Sequence, residues 1–277
     1  MIVTGFVALS VHSFLLERLN VPYPFSYPRR GFPEFLNSAP TMFALIYFFK
    51  ISSLGKSTRS SVFKIGYVFI VYAMLKETLF RFPIMNGICS TAWVYSLIED
   101  LPKLFQLLVA SILIVTVPKP GSVIYQVVTA VVAAALMVFI FEPFVTLAFH
   151  PLLSHFSSFN HTDIYLPPYG WNVQIPAYIT FIEPVIACFI IYANVEGNLL
   201  KKLPAKYLQF TFLILMVRGF AVSPFIYMFY AKLPPFTAIA SMGQFTLETV
   251  VLGVLTALSW THNRVSAKYK NIHHYLD

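Results

Sequence analysis

Runs of apolar residues, each close to the length of a transmembrane helix, follow one another along almost the whole chain. A helix needs about 20 mostly apolar residues to cross about 30 Å of hydrocarbon. The runs lie near residues 2–16, 40–54, 64–83, 103–118, 121–145, 172–193, 206–230 and 235–260. They predict an all-α fold, a polytopic transmembrane helical bundle of about eight spans with short loops. We expect a single transmembrane domain over residues 1–277. Residues 86–101 are also apolar but contain Gly, Ser and Thr, so a re-entrant or interfacial piece and a further crossing both stay open.

Charged residues are too few for a soluble protein. They make up 11% of the 277 residues, while 58% are hydrophobic. Soluble domains carry about 25% charged residues, so this chain has too few charged side chains to cover the surface of a soluble globular protein. The lipid bilayer is therefore the expected partner, and a hydrophobic small molecule and other membrane subunits are further candidates. The net charge of +8 does not indicate nucleic acid, because no basic stripe is interleaved with exposed aromatic residues.

Basic residues mark one side of the predicted bundle. Eight spans place both termini on one side, and four basic segments fall on that side: Lys56, Arg59 and Lys64; Lys119; Lys201, Lys202 and Lys206; and Arg264, Lys268 and Lys270. Lys and Arg concentrate in cytoplasmic loops, so we expect the N- and C-termini in the cytoplasm. The longest connection, residues 146–171, has no Lys or Arg and falls outside. Arg18, Arg29 and Arg30 also fall outside and are the exception.

Three ionisable residues lie deep within successive predicted spans: Glu183, Arg218 and Glu248. A charged Asp, Lys or Arg at the centre of a membrane helix costs at least about 2.5–3.5 kcal/mol, so such groups face a protein interior or a wet cavity. Arg218 keeps its charge, which makes at least one of the two glutamates its expected partner. The other glutamate is then a candidate proton donor in an apolar cavity. The alternative is an ion pair that fastens helices and does no chemistry.

A second group of candidates lies nearer the outer ends of two spans. Glu77 and Arg81 are four residues apart, so on one helix they share a face and can pair. Glu142 lies near the end of another predicted span. The candidate catalytic residues are therefore Glu183, Glu248, Arg218, Glu77 and Glu142.

Histidines cluster in the outer connection, at His150, His155 and His161, with Asp163 close by. A surface cluster in a loop is the first interpretation, and a single transition-metal site built from these four residues is the alternative. The chain has no Walker sequence, no dinucleotide glycine fingerprint and no His-Glu-x-x-His. We therefore expect no cofactor and no bound metal.

Three functions fit these features. The first is a membrane-embedded enzyme that acts on a lipid-like or isoprenoid substrate by acid/base chemistry, with Glu183 and Glu248 as acid and base. The second is a transporter, channel or ion relay that uses the same charged residues. The third is a structural subunit of a membrane complex. An enzyme needs a cavity open to lipid beside the acids, a transporter needs polar residues that continue from face to face, and a structural subunit needs neither.

Overall fold

The computed structural model describes residues 1–24, 31–88, 90–117, 122–160 and 169–273, with side chains described as far as residue 263. Within these residues the fold is all-α, as predicted. The helices are α1 (Ile2–Glu17), α2 (Phe32–Ile51), α3 (Ser53–Lys56), α4 (Ser61–Leu75), α5 (Arg81–Ile88), α6 (Trp93–Thr116), α7 (Val123–Leu136), α8 (Glu142–Phe156), α9 (Trp171–Thr180), α10 (Ile182–Val195), α11 (Leu203–Arg218), α12 (Ser223–Tyr230) and α13 (Pro235–His273). A π-helical segment, Met137–Phe141, joins α7 to α8.

Within the described residues, four helical units are long and apolar enough to cross a membrane. They are Val123–Phe159, Trp171–Asn198, Leu203–Tyr230 and Pro235–Asn263. Their length and composition make the chain a candidate integral membrane protein, in agreement with the sequence. The eight spans predicted above are not confirmed, since α1 and α4 are apolar but have only 16 and 15 residues.

In the described residues, three pairs of consecutive helices (α4 with α5, α9 with α10, α11 with α12) are each separated by a short interruption that a proline follows. α4 ends at Leu75 and α5 begins at Arg81, with Pro83 in its first turn. α9 and α10 are separated at Phe181, and Pro184 lies in the first turn of α10. Proline has no N–H, so it cannot continue the hydrogen-bond ladder of a preceding turn and is accepted best in a first turn.

The third interruption lies between α11 and α12. Gly219 ends α11 in the left-handed conformation, with φ of 82°, and Pro224 follows in the first turn of α12. Glycine adopts this conformation without the Cβ clash that other residues suffer. We call residues 76–80, Phe181 and residues 219–222 the three helix breaks.

One apolar core joins most of the bundle. α13 packs against α1, α10, α11 and α12, while α2 packs against α7 and α11, and α4 against α6 and α10. Tyr192 and Phe210 are fully buried in this core and meet edge to face, with ring centroids 4.8 Å apart. Large apolar side chains also cover the outside, such as Ile124 and Phe236, which are 79% and 87% exposed. Apolar residues on both the inside and the outside are what a lipid-facing bundle requires.

Several elements differ from the sequence prediction, among them the runs 172–193 and 206–230, which the second and third breaks interrupt. The helix expected over residues 64–83 ends at Leu75, because the chain turns at the first break before it reaches Pro83. The outer connection expected over residues 146–171 begins as helix, since α8 continues to Phe156. The apolar run continues through residues 144–149, and Pro151 is accommodated inside α8. The described residues between 86 and 101 are divided between the end of α5 and the first turns of α6, with no separate helix among them.

Basic loops lie together at one end of the bundle. Lys56 Nζ donates a hydrogen bond to Asn198 Oδ1 at 2.7 Å, which joins the connection after α2 to the connection after α10. Near the same connection, Trp260 Nε1 of α13 donates to Glu196 Oε2 at 3.0 Å. We call this the basic end.

Candidate functional site

The three helix breaks meet inside the bundle, and ionisable side chains join them. From the basic end, α4, α10 and α11 have 15, 14 and 16 residues before they reach their breaks. At 1.5 Å per residue, the meeting point lies about 21–24 Å from that end. We define the charged network as the ionisable residues that lie there: Lys76, Glu77, Arg81, Glu183, Arg218 and Glu248.

Glu183 joins α10 to the start of α5. Its carboxylate accepts backbone N–H groups from three successive residues: Leu79 at 2.9 Å, Phe80 at 3.0 Å and Arg81 at 2.6 Å. The first N–H groups of a helix have no partner within the helix, and an anion there also interacts favourably with the helix dipole. Glu183 is 1% exposed, so its carboxylate acts as a buried cap for a helix distant in sequence.

Arg218 lies between two carboxylates. Its Nη1 is 3.1 Å from Glu248 Oε1, and its Nη2 contacts Glu77 Oε1. The backbone carbonyl of Arg218 accepts a hydrogen bond from Lys76 Nζ at 2.7 Å. Of the two glutamates considered from the sequence, Glu248 is therefore the one that pairs with Arg218, while Glu183 caps α5.

Arg81 connects the first break to α9. Its Nε lies 2.6 Å from Glu77 Oε2, and its Nη1 donates to Ala177 O and to Thr180 Oγ1. The pair of Glu77 and Arg81 therefore exists, but not on one helix face as the spacing suggested. Glu77 lies in the first break with φ of 62°, a conformation that is uncommon for a residue other than glycine.

The charged network has equal numbers of cations and anions. Arg81 and Arg218 contact the Glu77 carboxylate, and Arg218 also contacts that of Glu248. Glu183 is held by backbone N–H groups, and Lys76 donates to the carbonyl of Arg218. Charges away from water are tolerated when they are paired and hydrogen-bonded. The balance is consistent with burial of the network in the core of a membrane bundle.

A line of buried polar side chains passes through the charged network along α13. We define the polar stripe as Ser241, Gln244, Glu248, Thr249 and Thr256; Glu248 is 3% exposed and the others are fully buried. In the described part of the chain, no hydrogen-bond partner is found for Ser241 Oγ, Gln244 Oε1, Thr249 Oγ1 or Thr256 Oγ1. Buried polar atoms in proteins are normally paired with protein or with ordered water.

An apolar cavity lies beside α2, α4, α10 and α11. Its walls come from Leu45, Phe48, Val68, Val71, Tyr72, Leu75, Ile191, Leu213 and Val217. These residues include none of the candidate acids.

The remaining candidates from the sequence lie elsewhere. Glu142 is the first residue of α8, which packs against α6 and the π-helical segment. His150 and His155 lie on α8 and not in a loop, and His161 and Asp163 lie outside the described residues. Among the residues that were placed, no group of three or more His, Cys, Asp or Glu is arranged to hold a metal ion.

Sequence reasoning missed Lys76 and Asp100. Lys76 directly precedes Glu77 in an apolar stretch, a charge pair that marks the first break. Asp100 on α6 is 1% exposed, and over the described ranges neither carboxylate oxygen has a hydrogen-bond partner. In the sequence, Asp100 follows Glu99 after an apolar stretch. Two adjacent acids in that position are typical of the polar end of a surface segment, so the burial of Asp100 was not expected.

No protein-family model, no curated protein and no solved structure matches this chain.

Proposed function

We propose that this chain is a multi-pass integral membrane protein that moves a proton or a small cation across the membrane through the charged network. The observation that carries the proposal is the convergence of three helix breaks on buried, paired charges. In many transporters, interrupted helices form the binding site near the middle of the bilayer, and their half-helix ends face the ion or substrate. Non-helical backbone at this depth is tolerated where it is buried in protein or lines a wet cavity.

The proposed topology has eight crossings. The crossing units are α1, α2, α4–α5, α6, α7–α8, α9–α10, α11–α12 and α13. In this arrangement the basic end holds Trp260 of α13, the N-terminus of α1 points towards it, and the positive-inside rule assigns it to the cytoplasm. α5, α9 and α12 then form the outer halves of the three interrupted units.

Movement of an ion is favoured over acid/base catalysis on a lipid. An enzyme of the kind considered above needs an acid in the wall of a lipid-accessible cavity, whereas the walls of the apolar cavity carry no acid. Glu183 is occupied by three N–H donors and Glu77 by two guanidinium groups. The polar stripe supports transport as well, because fastening helices does not require buried polar atoms without partners.

Flux into liposomes tests the proposal. The purified protein is reconstituted, and entry of H⁺, Na⁺ and K⁺ is followed separately with ion-sensitive dyes under an imposed membrane potential. Wild type is expected to pass at least one ion faster than protein-free liposomes, and Glu248→Gln is expected to abolish that flux. Glu17→Gln is the matched control, since Glu17 is exposed and lies outside the charged network. Absence of flux for all three ions with folded wild type would refute the proposal.

A further inference from the structure

The hydroxyl groups of the polar stripe differ in their hydrogen bonding from those of Ser111 on α6 and Thr261 on α13. Ser111 donates to the carbonyl four residues earlier at 2.7 Å, and Thr261, also on α13, does so at 2.9 Å. Ser241, Thr249 and Thr256 are equally buried or more so, yet among the described contacts they make no such bond. A Ser or Thr on a helix has this local bond available as its simplest partner. Three buried hydroxyls on one helix that leave it unused point to another partner.

Spacing along α13 suits a chain of water molecules. Ser241 and Thr256 are 15 residues apart, which is about 22 Å along a helix axis and a large part of the hydrocarbon thickness of about 30 Å. The widest gap lies between Thr249 and Thr256. Thr211 of α11 lies in this gap, because an added Cβ at Gly253 would be 2.9 Å from Thr211 Oγ1. Thr211 Oγ1 is also buried and has no partner among the placed residues.

With Thr211 included, neighbouring polar groups along the axis are separated by about 6 Å or less. Two hydrogen bonds of about 2.8 Å through one water span that distance. Buried waters typically make about three hydrogen bonds to otherwise unsatisfied polar groups. We infer that the polar stripe and Thr211 hold a chain of internal water molecules, and that the ion moved by this protein is a proton exchanged at Glu248. This inference rests on the proposed function and names its ion.

The proton balance is simple. A hydronium ion at one side of Glu248 gives its excess proton to the carboxylate and becomes water, while the carboxylate becomes a neutral carboxylic acid. The acid then releases a proton to a water on the other side and becomes a carboxylate again. Each hydroxyl along the way accepts a proton on its oxygen and gives up its own, so no charge stays on it.

The surroundings of Glu248 allow this exchange. The charged groups that act on it are Arg218 from α11, Glu77 from the first break and Arg81 from α5. The side chain of His12 on α1 also lies nearby: its ring is 4.9 Å from the ring of Phe245, which precedes Glu248 by three residues on α13. When Glu248 is neutral, Arg218 still contacts Glu77, so the guanidinium does not lose its last anion.

Valine substitutions test the inference, because valine keeps the shape of threonine and removes the hydroxyl. The double variant Thr249→Val/Thr256→Val is expected to lower proton flux into liposomes at least about tenfold. Its thermal midpoint in detergent should stay the same or rise, since removing a buried hydroxyl that lacks a protein partner removes no protein hydrogen bond. The matched control is Thr261→Val on the same helix, which loses a bond to Ala257 O and should leave proton flux unchanged.

The outcomes separate this inference from the proposed function. Wild-type flux of Na⁺ or K⁺ without H⁺ flux would overturn the inference and leave ion movement in place. Proton flux that persists in Thr249→Val/Thr256→Val would also overturn it. Failure of wild type to pass any ion would overturn the proposed function itself.

Discussion

Replacing Glu183 by Gln tests whether this carboxylate holds two distant segments together. The substitution keeps the size of the side chain but leaves one oxygen and adds an NH₂ group. In the native structure Leu79 N–H is bound by Oε1, while the N–H groups of Phe80 and Arg81 share Oε2. The best orientation of the amide keeps its oxygen at the shared position and turns the NH₂ group towards Leu79 N–H.

The expected loss follows from these three bonds. One buried N–H donor is left without an acceptor, which costs about 1–3 kcal/mol. The other two bonds change from charge-assisted to neutral and lose roughly half of their strength, which together is about 1.5–3 kcal/mol. Glu183→Gln should therefore lower the free energy of unfolding by about 2.5–6 kcal/mol.

The measurement is a denaturation curve in mixed detergent micelles, with the thermal midpoint as a second readout. Glu17→Gln makes the same chemical change at an exposed site, where the new amide oxygen still accepts from Gln174, and should change stability by less than about 0.5 kcal/mol. A loss below about 1 kcal/mol for Glu183→Gln would refute the reasoning, because it would show that the N–H groups find other partners.

Three further predictions concern the same region. Arg218→Gln should destabilise by roughly 3–5 kcal/mol because it leaves the buried Glu248 carboxylate unpaired, and adding Glu248→Gln should restore part of that loss in the same denaturation assay. Gly219→Ala should cost about 1–3 kcal/mol, since φ is 82° and the new methyl group would lie 3.0 Å from the side chain of Asn37; unchanged stability would contradict the left-handed break. Gly253→Ala should cost about 1–3 kcal/mol through a clash with α11, whereas Gly243→Ala on the same helix meets nothing within 4 Å and should be neutral or stabilising.

The fold class could be predicted from the sequence because it depends on local properties. Apolar runs and the scarcity of charges indicate helices in lipid whatever their neighbours are. The helix breaks were harder, since an apolar run that turns and one that continues have similar composition. Pro83, Pro184 and Pro224 were visible signals, but a proline in an apolar run can also be accommodated, as Pro151 is within α8.

The candidate site was predicted in part for a similar reason. Glu183, Arg218 and Glu248 stand out because each lies far from the ends of an apolar run. Their partners depend on how distant segments pack, and neither the cap that Glu183 provides for α5 nor the contact of Arg218 with Glu77 follows from spacing. Glu77 and Arg81 were assigned to a separate group for the same reason.

The unequal continuity of the helices has a mechanical consequence. α13 runs unbroken for 39 residues, about 58 Å, whereas α5, α9 and α12 have only 8, 10 and 8 residues beyond their breaks. Short helices joined through turns can rotate about those turns as hinged flaps. A long continuous helix that packs against several neighbours keeps a fixed orientation. Arg81 ties α5 to α9, so these two flaps are expected to swing together. Since α12 packs along α13, we expect the hinged part of the bundle to be α5 and α9, with the charged network at their base.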